Sequence, residues 1–245
     1  MRIAVVTDIH GNRHALVAAL SDLNRLGTDE VVFGGDIALF GSQPRECWER
    51  IIDLQWLTVQ GNTDRYITDR PPTIFLTDGK SPPSADFVRA NVEWTTEQLG
   101  ASHVADMRKM RRQVRLESDA GTLLIVHGTP SDDELGWDRS DTEETVMEKI
   151  GRTDAAVVVS GHTHTAAIRH TKALLAVNCG AVGRSHDQQP GLATYAVLDD
   201  SSGFWSAEIR RVAYDHQAAH ADVLNRNVPL PDSFANTLLT GVPPA

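Results

Sequence analysis

The chain has 245 residues, 41% of them hydrophobic, which is ample for a substantial core and typical of one α/β domain. Its formal net charge of −10 argues against general nucleic-acid binding, because nonspecific phosphate contacts need clustered Lys and Arg. The sequence has neither a signal-like segment nor an apolar run that approaches a membrane span, so we expect a cytoplasmic protein without a membrane partner.

The first sixty residues alternate between strands and helices. Apolar runs at 2–7, 31–35 and 57–61 predict three strands, and helices are predicted over 11–27 and 44–54. This β-α-β-α-β pattern implies a parallel core sheet.

The pattern changes between residues 64 and 114. A proline-rich stretch leads into two amphipathic segments, predicted to be helical at about 85–99 and 102–112. We interpret the insertion at about 65–112 as a small helical cap that lies beside the functional site.

Strand-like patterns return after residue 112, with one predicted helix at 141–150. The strands are predicted at 113–117, 122–126, 155–160, 166–170, 174–178, 192–198 and 205–212. Short connections among the last strands favour antiparallel pairing, which gives a second sheet of mixed direction. The predicted fold is a four-layer α/β/β/α sandwich of two mixed sheets with flanking helices. It forms one domain over 1–245, with a proline-containing tail at about 228–245.

Side chains of metal-ligand type follow several of the predicted strands, at glycine-containing turns. They are Asp8, His10, Asp36, Asn62, His127, His162 and His164. Because ligands bind at the carboxyl ends of buried strands, we expect these side chains to converge on one sheet edge. Asp8 and His10 should also point to the same side of an extended segment, since side chains in a strand alternate with period two.

The same residues lie in five short motifs. These are Asp8-Ile9-His10-Gly11-Asn12, Gly34-Gly35-Asp36, Gly61-Asn62-Thr63-Asp64, Val126-His127-Gly128 and Gly161-His162-Thr163-His164. Their content and order resemble the calcineurin-like metallophosphoesterase superfamily, and within it the small bacterial and archaeal phosphodiesterase-like branch. The resemblance extends from Met1 to about Asp199. It implies a metal-dependent phosphoric ester hydrolase, either a phosphodiesterase or a phosphatase.

The resemblance also implies a cofactor of two divalent transition metal ions. It assigns one ion to Asp8, His10, Asp36 and His164, and the other ion to Asp36, Asn62, His127 and His162, so that Asp36 is the bridge. The implied reaction is attack by a metal-bridging hydroxide on a small phosphodiester or nucleotide-type phosphoester. Asp36, Asn62, Asp64 and His127 are the expected catalytic residues. The N and O ligands suit Mn, Fe or Zn and do not choose among them.

Substrate contacts are expected from Asn62 and from a loop that begins at Asn178. This loop resembles a family loop bordering the site, and its Arg184 and His186 could bind substrate; a solvated loop pair is the alternative. Many phosphatases of the family carry a histidine directly after the asparagine, where this chain has Thr63. Threonine cannot protonate a leaving group near neutral pH, so we expect poor activity on esters with basic alkoxide leaving groups.

Alternatives remain open at the level of the sequence. Taken singly, Asp8 and Asp36 could be helix N-caps and His127 an ordinary buried histidine. Other functions within the family are a bis(5′-nucleosyl)-tetraphosphatase and a protein-phosphatase-like monoesterase, and a non-catalytic metal-binding scaffold is the alternative of another class. Cys47 and Cys179 are predicted to be buried free thiols. The expected partner is a small-molecule phosphoester, and the oligomeric state is left open.

Overall fold

The protein is described by a computed structural model that covers residues 1–69 and 82–243. Its strands form two five-stranded sheets. The first sheet contains β1 (Arg2–Val6), β2 (Glu30–Phe33), β3 (Leu57–Thr58), β9 (Leu192–Asp199) and β10 (Ser206–Ala213), in the order β10-β9-β1-β2-β3. The second contains β4 (Gln113–Leu116), β5 (Leu123–Val126), β6 (Val157–Ser160), β7 (Ala167–His170) and β8 (Leu175–Asn178), in the order β4-β5-β6-β8-β7. Each corresponds to a predicted strand.

Helices cover the outer faces of both sheets. Within residues 1–69 and 82–243 they are α1 (Arg13–Leu26), α2 (Pro44–Leu54), α3 (Asn62–Asp69), α4 (Pro82–Met107), α5 (Glu143–Ile150), α6 (His216–Asn225) and α7 (Asp232–Thr240). No helix in these ranges has both the length and the apolar character needed to cross a membrane.

The four layers follow from the alternation of side chains along buried strands. In β1, Ile3 and Val5 belong to the core between the two sheets, whereas Ala4 and Val6 belong to the core shared with the helices. The outer face of the second sheet packs in the same way against α5 and the buried Trp137. The predicted α/β/β/α sandwich of two mixed sheets is therefore confirmed.

The sheet membership of the last two strands differs from the prediction. The pairing of β1 with β2, and of β2 with β3, is parallel as expected. However, β9 and β10 do not join the second sheet, because β9 pairs antiparallel with β1 and β10 pairs with β9. Since β1 is almost wholly buried, its second edge needs a hydrogen-bonding partner, and β9 provides it.

The predicted cap falls partly outside the described residues, because 70–81 are not among them. Helix α3, which begins at Asn62, was not predicted from the sequence. Helix α4 is interrupted at Gly100, which has φ 76° and ψ 162°, between the two predicted helical segments. It packs against α2 and α3. The interpretation of 65–112 as an inserted cap stays a prediction.

The C-terminal part of the chain contains two helices, α6 and α7, that were not predicted from the sequence. The Asp215 side chain caps α6 by accepting the N–H of Ala218, which is a sequence signal that could have identified this helix. In α7, Phe234 and Leu238 are buried in the core that the helices share with the first sheet. The predicted tail therefore packs against the domain; residues 244–245 are not among the described residues. Cys47 and Cys179 are buried and free, as predicted.

Close backbone contacts hold the first turn of the site in place. The Gly183 N–H donates to the Asp8 carbonyl at 2.8 Å, and the Gly183 carbonyl accepts from Asn12 Nδ2 at 2.9 Å. A Cβ atom at Gly183 would lie 1.7 Å from the carbonyl oxygen of Ile9. Glycine is therefore required where the two loops cross.

We predict that Gly183→Ala lowers the free energy of unfolding by about 3 kcal/mol or more, because the new methyl group forces the two loops apart. The control is Gly203→Ala, where a Cβ meets nothing within 4 Å but φ is 84°, so only backbone strain of about 1 kcal/mol is expected. Urea denaturation measures both. Equal losses in the two variants would contradict the loop-crossing argument.

Candidate metal centre

The predicted ligands converge at the carboxyl ends of strands from both sheets. Asp8 and His10 follow β1, Asp36 follows β2, and His164 follows β6. One donor atom from each of these four buried residues lies within 4.8 Å of the others. They are the residues assigned to one ion by the resemblance described above.

The second predicted set is contiguous with the first. His127 Nε2 lies 3.0 Å from Asn62 Oδ1, which lies 3.2 Å from His162 Nδ1. Asp36 joins the two sets, because its Oδ2 is 3.6 Å from His10 Nε2 and 3.4 Å from His127 Nε2. A carboxylate oxygen that faces both groups has the position required of a bridging ligand.

Hydrogen bonds behind the cluster orient its lone pairs inward. His10 Nδ1 contacts the Leu39 carbonyl at 3.0 Å, and His127 Nδ1 contacts the Gly34 carbonyl at 2.9 Å, so each Nδ1 is the protonated nitrogen. The Nε2 atoms therefore face the cluster, and each presents a lone pair when its ring is neutral. Asn62 does the same with its oxygen, because its Nδ2 donates to the Tyr66 hydroxyl at 3.1 Å.

The two oxygens of the Asp8 carboxylate have different surroundings: Oδ2 is held by hydrogen bonds, and Oδ1 faces the cluster. Its Oδ2 accepts from Thr7 Oγ1 at 2.9 Å and from the His162 N–H at 3.1 Å. Its Oδ1 is buried, has no hydrogen-bond partner, and lies 3.2 Å from His164 Nε2. Inward lone pairs and an unpartnered carboxylate oxygen need a positive charge between them, and this donor set fits divalent transition metals.

The pKa values of the buried Asp and His side chains also indicate that the cluster favours positive charge. Burial opposes ionisation of Asp36, yet His127 and His10 lower the pKa of its carboxyl to about 2. Burial also opposes charge on His127, but the Asp36 carboxylate raises the His127 pKa to about 10. Burial lowers the pKa of His164 to about 4. The cluster thus stabilises one cation beside its carboxylates, in the region where the divalent ions are predicted.

The ligands converge through left-handed turns. Strand β1 ends at Val6, and Asp8 and His10 have φ values of 56° and 49°. The prediction that they share one face of an extended segment is wrong, although they do lie together. Asp36, His162 and His164 have φ values of 58°, 66° and 60°. Non-glycine residues in this region cost about 1–3 kcal/mol each, so backbone strain is concentrated at the site.

Asp64 holds two ligand-bearing turns together without facing the cluster donors itself. Its carboxylate accepts the N–H groups of Asp36 at 2.8 Å, Ile37 at 3.0 Å and Gly61 at 3.0 Å. Burial and the neighbouring Asp36 raise its pKa to about 6. Its predicted part in catalysis is therefore best described as positioning Asp36 and Asn62.

Asp36 has a second role at the start of α3. Its Oδ1 accepts the Thr63 N–H at 3.0 Å, while its Oδ2 faces the cluster. The N-cap alternative for Asp8 and Asp36 is nevertheless wrong, because Asn12 caps α1 and Gln43 occupies the N-cap position of α2.

Arg184 is buried and His186 is half-buried beside the cluster, so they do not form the fully solvated pair of the alternative, and their contact with substrate stays a prediction. The His186 ring is 4.5 Å from the ring of His164. The Arg184 guanidinium lies 5.3 Å from the Phe40 ring and 5.4 Å from the Phe234 ring. Phe40 and Phe234 were not predicted from the sequence, because neither belongs to a motif.

Comparison with known proteins identifies the family. The sequence profile of the calcineurin-like phosphoesterase superfamily domain matches residues 1–203. The chain therefore belongs to the calcineurin-like phosphoesterase superfamily.

Related proteins span nearly the whole chain. An uncharacterised protein of Methanocaldococcus jannaschii is 24% identical over 93% of both chains. The crystal structure of a metallophosphoesterase from Sphaerobacter thermophilus is 26% identical, with a TM-score of 0.75 over 99% of this chain and 100% of that one. A hypothetical protein from Pyrococcus horikoshii has a TM-score of 0.84 at 19% identity, over 99% of both chains, and shows the shared fold.

We predict that Asp36→Asn reduces metal-dependent activity by more than about 100-fold, since it removes the shared charge while its amide oxygen still accepts the Thr63 N–H. Metal content per chain should fall, and the thermal unfolding midpoint of the metal-free protein should stay close to that of the wild type. Elemental analysis and calorimetry measure these. The control is Asp154→Asn, whose side chain is 80% exposed. Normal turnover with a full metal complement would rule out the bridging role.

Proposed function

We propose that this member of the calcineurin-like phosphoesterase superfamily hydrolyses a small phosphodiester or nucleotide-type phosphoester with two divalent ions, Mn, Fe or Zn. The observation that carries the proposal is the buried Asp36 carboxylate facing both donor sets. When bound, such ions activate water and neutralise charge on phosphoryl oxygens. The expected partner is a small molecule.

The chain's own residues would bind, orient and exclude water. Asp36 and His127 would hold ligand atoms in place, since the His127 ring is fixed by the Gly34 carbonyl. Asn62 would contact both metal and substrate from the start of α3. Burial of nearly all the ligands keeps competing solvent away from these groups.

Arg184 and His186 would contact the substrate from the loop beside His164. Arg184 supplies a positive charge, although burial lowers its pKa to about 10. Burial, together with His164 and Arg184, lowers the pKa of His186 to about 2, so the His186 ring is neutral near pH 7. It can orient substrate, but it is poorly suited to act as an acid.

The leaving group would have to depart without proton transfer from position 63. Thr63 is buried, its N–H is bound to Asp36, and its hydroxyl has no hydrogen-bond partner. A threonine hydroxyl does not donate a proton near neutral pH. This favours substrates with acidic leaving groups and argues against a protein-phosphatase-like monoesterase.

The direct test of the proposal is metal content combined with hydrolysis of an aryl phosphodiester. We expect up to two transition-metal ions per chain, activity that is lost on chelation, and recovery on adding Mn or Zn. The non-catalytic scaffold alternative predicts bound metal without turnover. Absence of both metal and turnover would reject the proposal.

We further predict that wild-type rates depend steeply on the acidity of the leaving group, so that aryl esters react far faster than alkyl esters of equal size. Thr63→His should selectively accelerate the alkyl esters, by up to roughly 10²–10⁴-fold if the imidazole reaches the leaving oxygen. Thr63→Val, which also lacks an acid, is the control. Equal wild-type rates for both ester types would contradict the prediction.

A further inference from the structure

Among the residues that the structure describes, Arg184 is a buried cation without an ion-pair partner. The residue is only 7% exposed, and no carboxylate of residues 1–69 or 82–243 lies within 4.0 Å of its guanidinium. Its hydrogen bond to Ser233 Oγ is long, at 3.4 Å, and its buried Nε has no acceptor. Buried charges are normally paired, so the free donors of Arg184 point to an anionic ligand.

Aromatic rings hold the guanidinium in position. Phe40 and Phe234 lie 5.3 Å and 5.4 Å from its central carbon, and Phe40 stacks on Phe87 of α4 with centroids 5.1 Å apart. Contacts with ring faces orient a guanidinium without using its N–H donors. The donors therefore stay available, and little entropy is lost when they bind an oxyanion.

Arg184 lies next to the first ligand set rather than within it. Phe40, on which it packs, has its ring centroid 5.8 Å from that of His10. The ring of His186, two residues further along the loop, is tilted by 38° against the ring of His164, with the centroids 4.5 Å apart. No ion pair links Arg184 to Asp8 or Asp36 in the described structure. This position suits a group attached to the reacting phosphoryl group better than the reacting group itself.

Thr63 limits which leaving groups a substrate at this site can have. Without an acid at this position, the leaving group has to be a weak base. A phosphate is a much weaker base than an alkoxide, and it also carries the negative charge that Arg184 can bind.

Resting on the proposed function, we propose that Arg184 forms a subsite for a second phosphoryl group, so that the substrate is a phosphoanhydride such as a nucleoside polyphosphate. The oxygen of water bonds to the reacting phosphorus, and the bond from this phosphorus to the bridging oxygen breaks. The bridging oxygen leaves with the electron pair on the second phosphate. The two protons of water pass to the product phosphates or to solvent.

The test compares the binding of two non-hydrolysable anions to the metal-loaded protein by titration calorimetry. Methylenediphosphonate has two adjacent phosphoryl-like groups, and methylphosphonate has one. Arg184→Gln should weaken methylenediphosphonate binding by roughly 10–100-fold, with little change for methylphosphonate and unchanged metal content. The control is Arg25→Gln, whose side chain is 71% exposed. Equal weakening of both anions, or of neither, would overturn the proposal.

A second variant covers the case in which Arg184→Gln does not fold. Phe234→Leu removes one supporting ring and keeps the charge, so it should cause a smaller loss that is still selective for methylenediphosphonate. Phe204→Leu is its matched control, because Phe204 is 78% exposed on the turn between β9 and β10. Unchanged binding selectivity in Phe234→Leu would count against ring-held positioning.

The outcomes separate this subsite from the proposed function. Selective methylenediphosphonate binding through Arg184, in a protein that hydrolyses no phosphoester, would reject the function and retain the subsite. If the protein hydrolyses aryl diesters but Arg184 gives no preference for methylenediphosphonate binding, the proposed function is retained and the subsite is rejected.

Discussion

One buried carboxylate, that of Asp64, connects the turns on which the metal centre depends. By accepting N–H groups from Asp36, Ile37 and Gly61, it fixes the turn after β2 against the start of α3. There is no room for a larger residue at this junction, because a Cβ atom on Gly61 would lie 2.1 Å from Asp36 Oδ1. The strained left-handed residues persist because such contacts over-determine the backbone around them. The position of the Asp36 carboxylate thus follows from backbone hydrogen bonding.

The charges around the cluster favour the binding of a phosphate group. The chain is acidic overall, with a net charge of −10, yet donor atoms that face the cluster lie close to the buried guanidinium of Arg184. Once two divalent ions are present, positive charge exceeds that of the Asp8 and Asp36 carboxylates. A phosphate group can therefore be attracted locally although the protein as a whole repels anions. A substrate with more than one negative charge would complement this arrangement best.

The side chains that support Arg184 come from segments outside the motifs that supply the candidate ligands. The motifs that supply the ligands all lie within residues 1–203, the part that matches the family profile. Phe234, which supports Arg184, lies beyond that part in α7, and Phe87 comes from α4. The position of Arg184 therefore depends on how α4 and α7 pack as well as on the loop that carries it.

The sequence by itself determined the strands and the seven candidate ligands. Strands buried on both faces have continuous apolar runs, and ligands follow their carboxyl ends, so both features are local patterns. Only the tertiary structure decided that β9 pairs with β1, because an apolar strand does not specify which sheet edge it will join. It also decided that Asp8 and His10 meet through left-handed turns, since neighbouring loops impose that backbone. Finally, it placed Phe234 on Arg184, a contact between residues 50 positions apart that depends on how α7 packs and that no local pattern records.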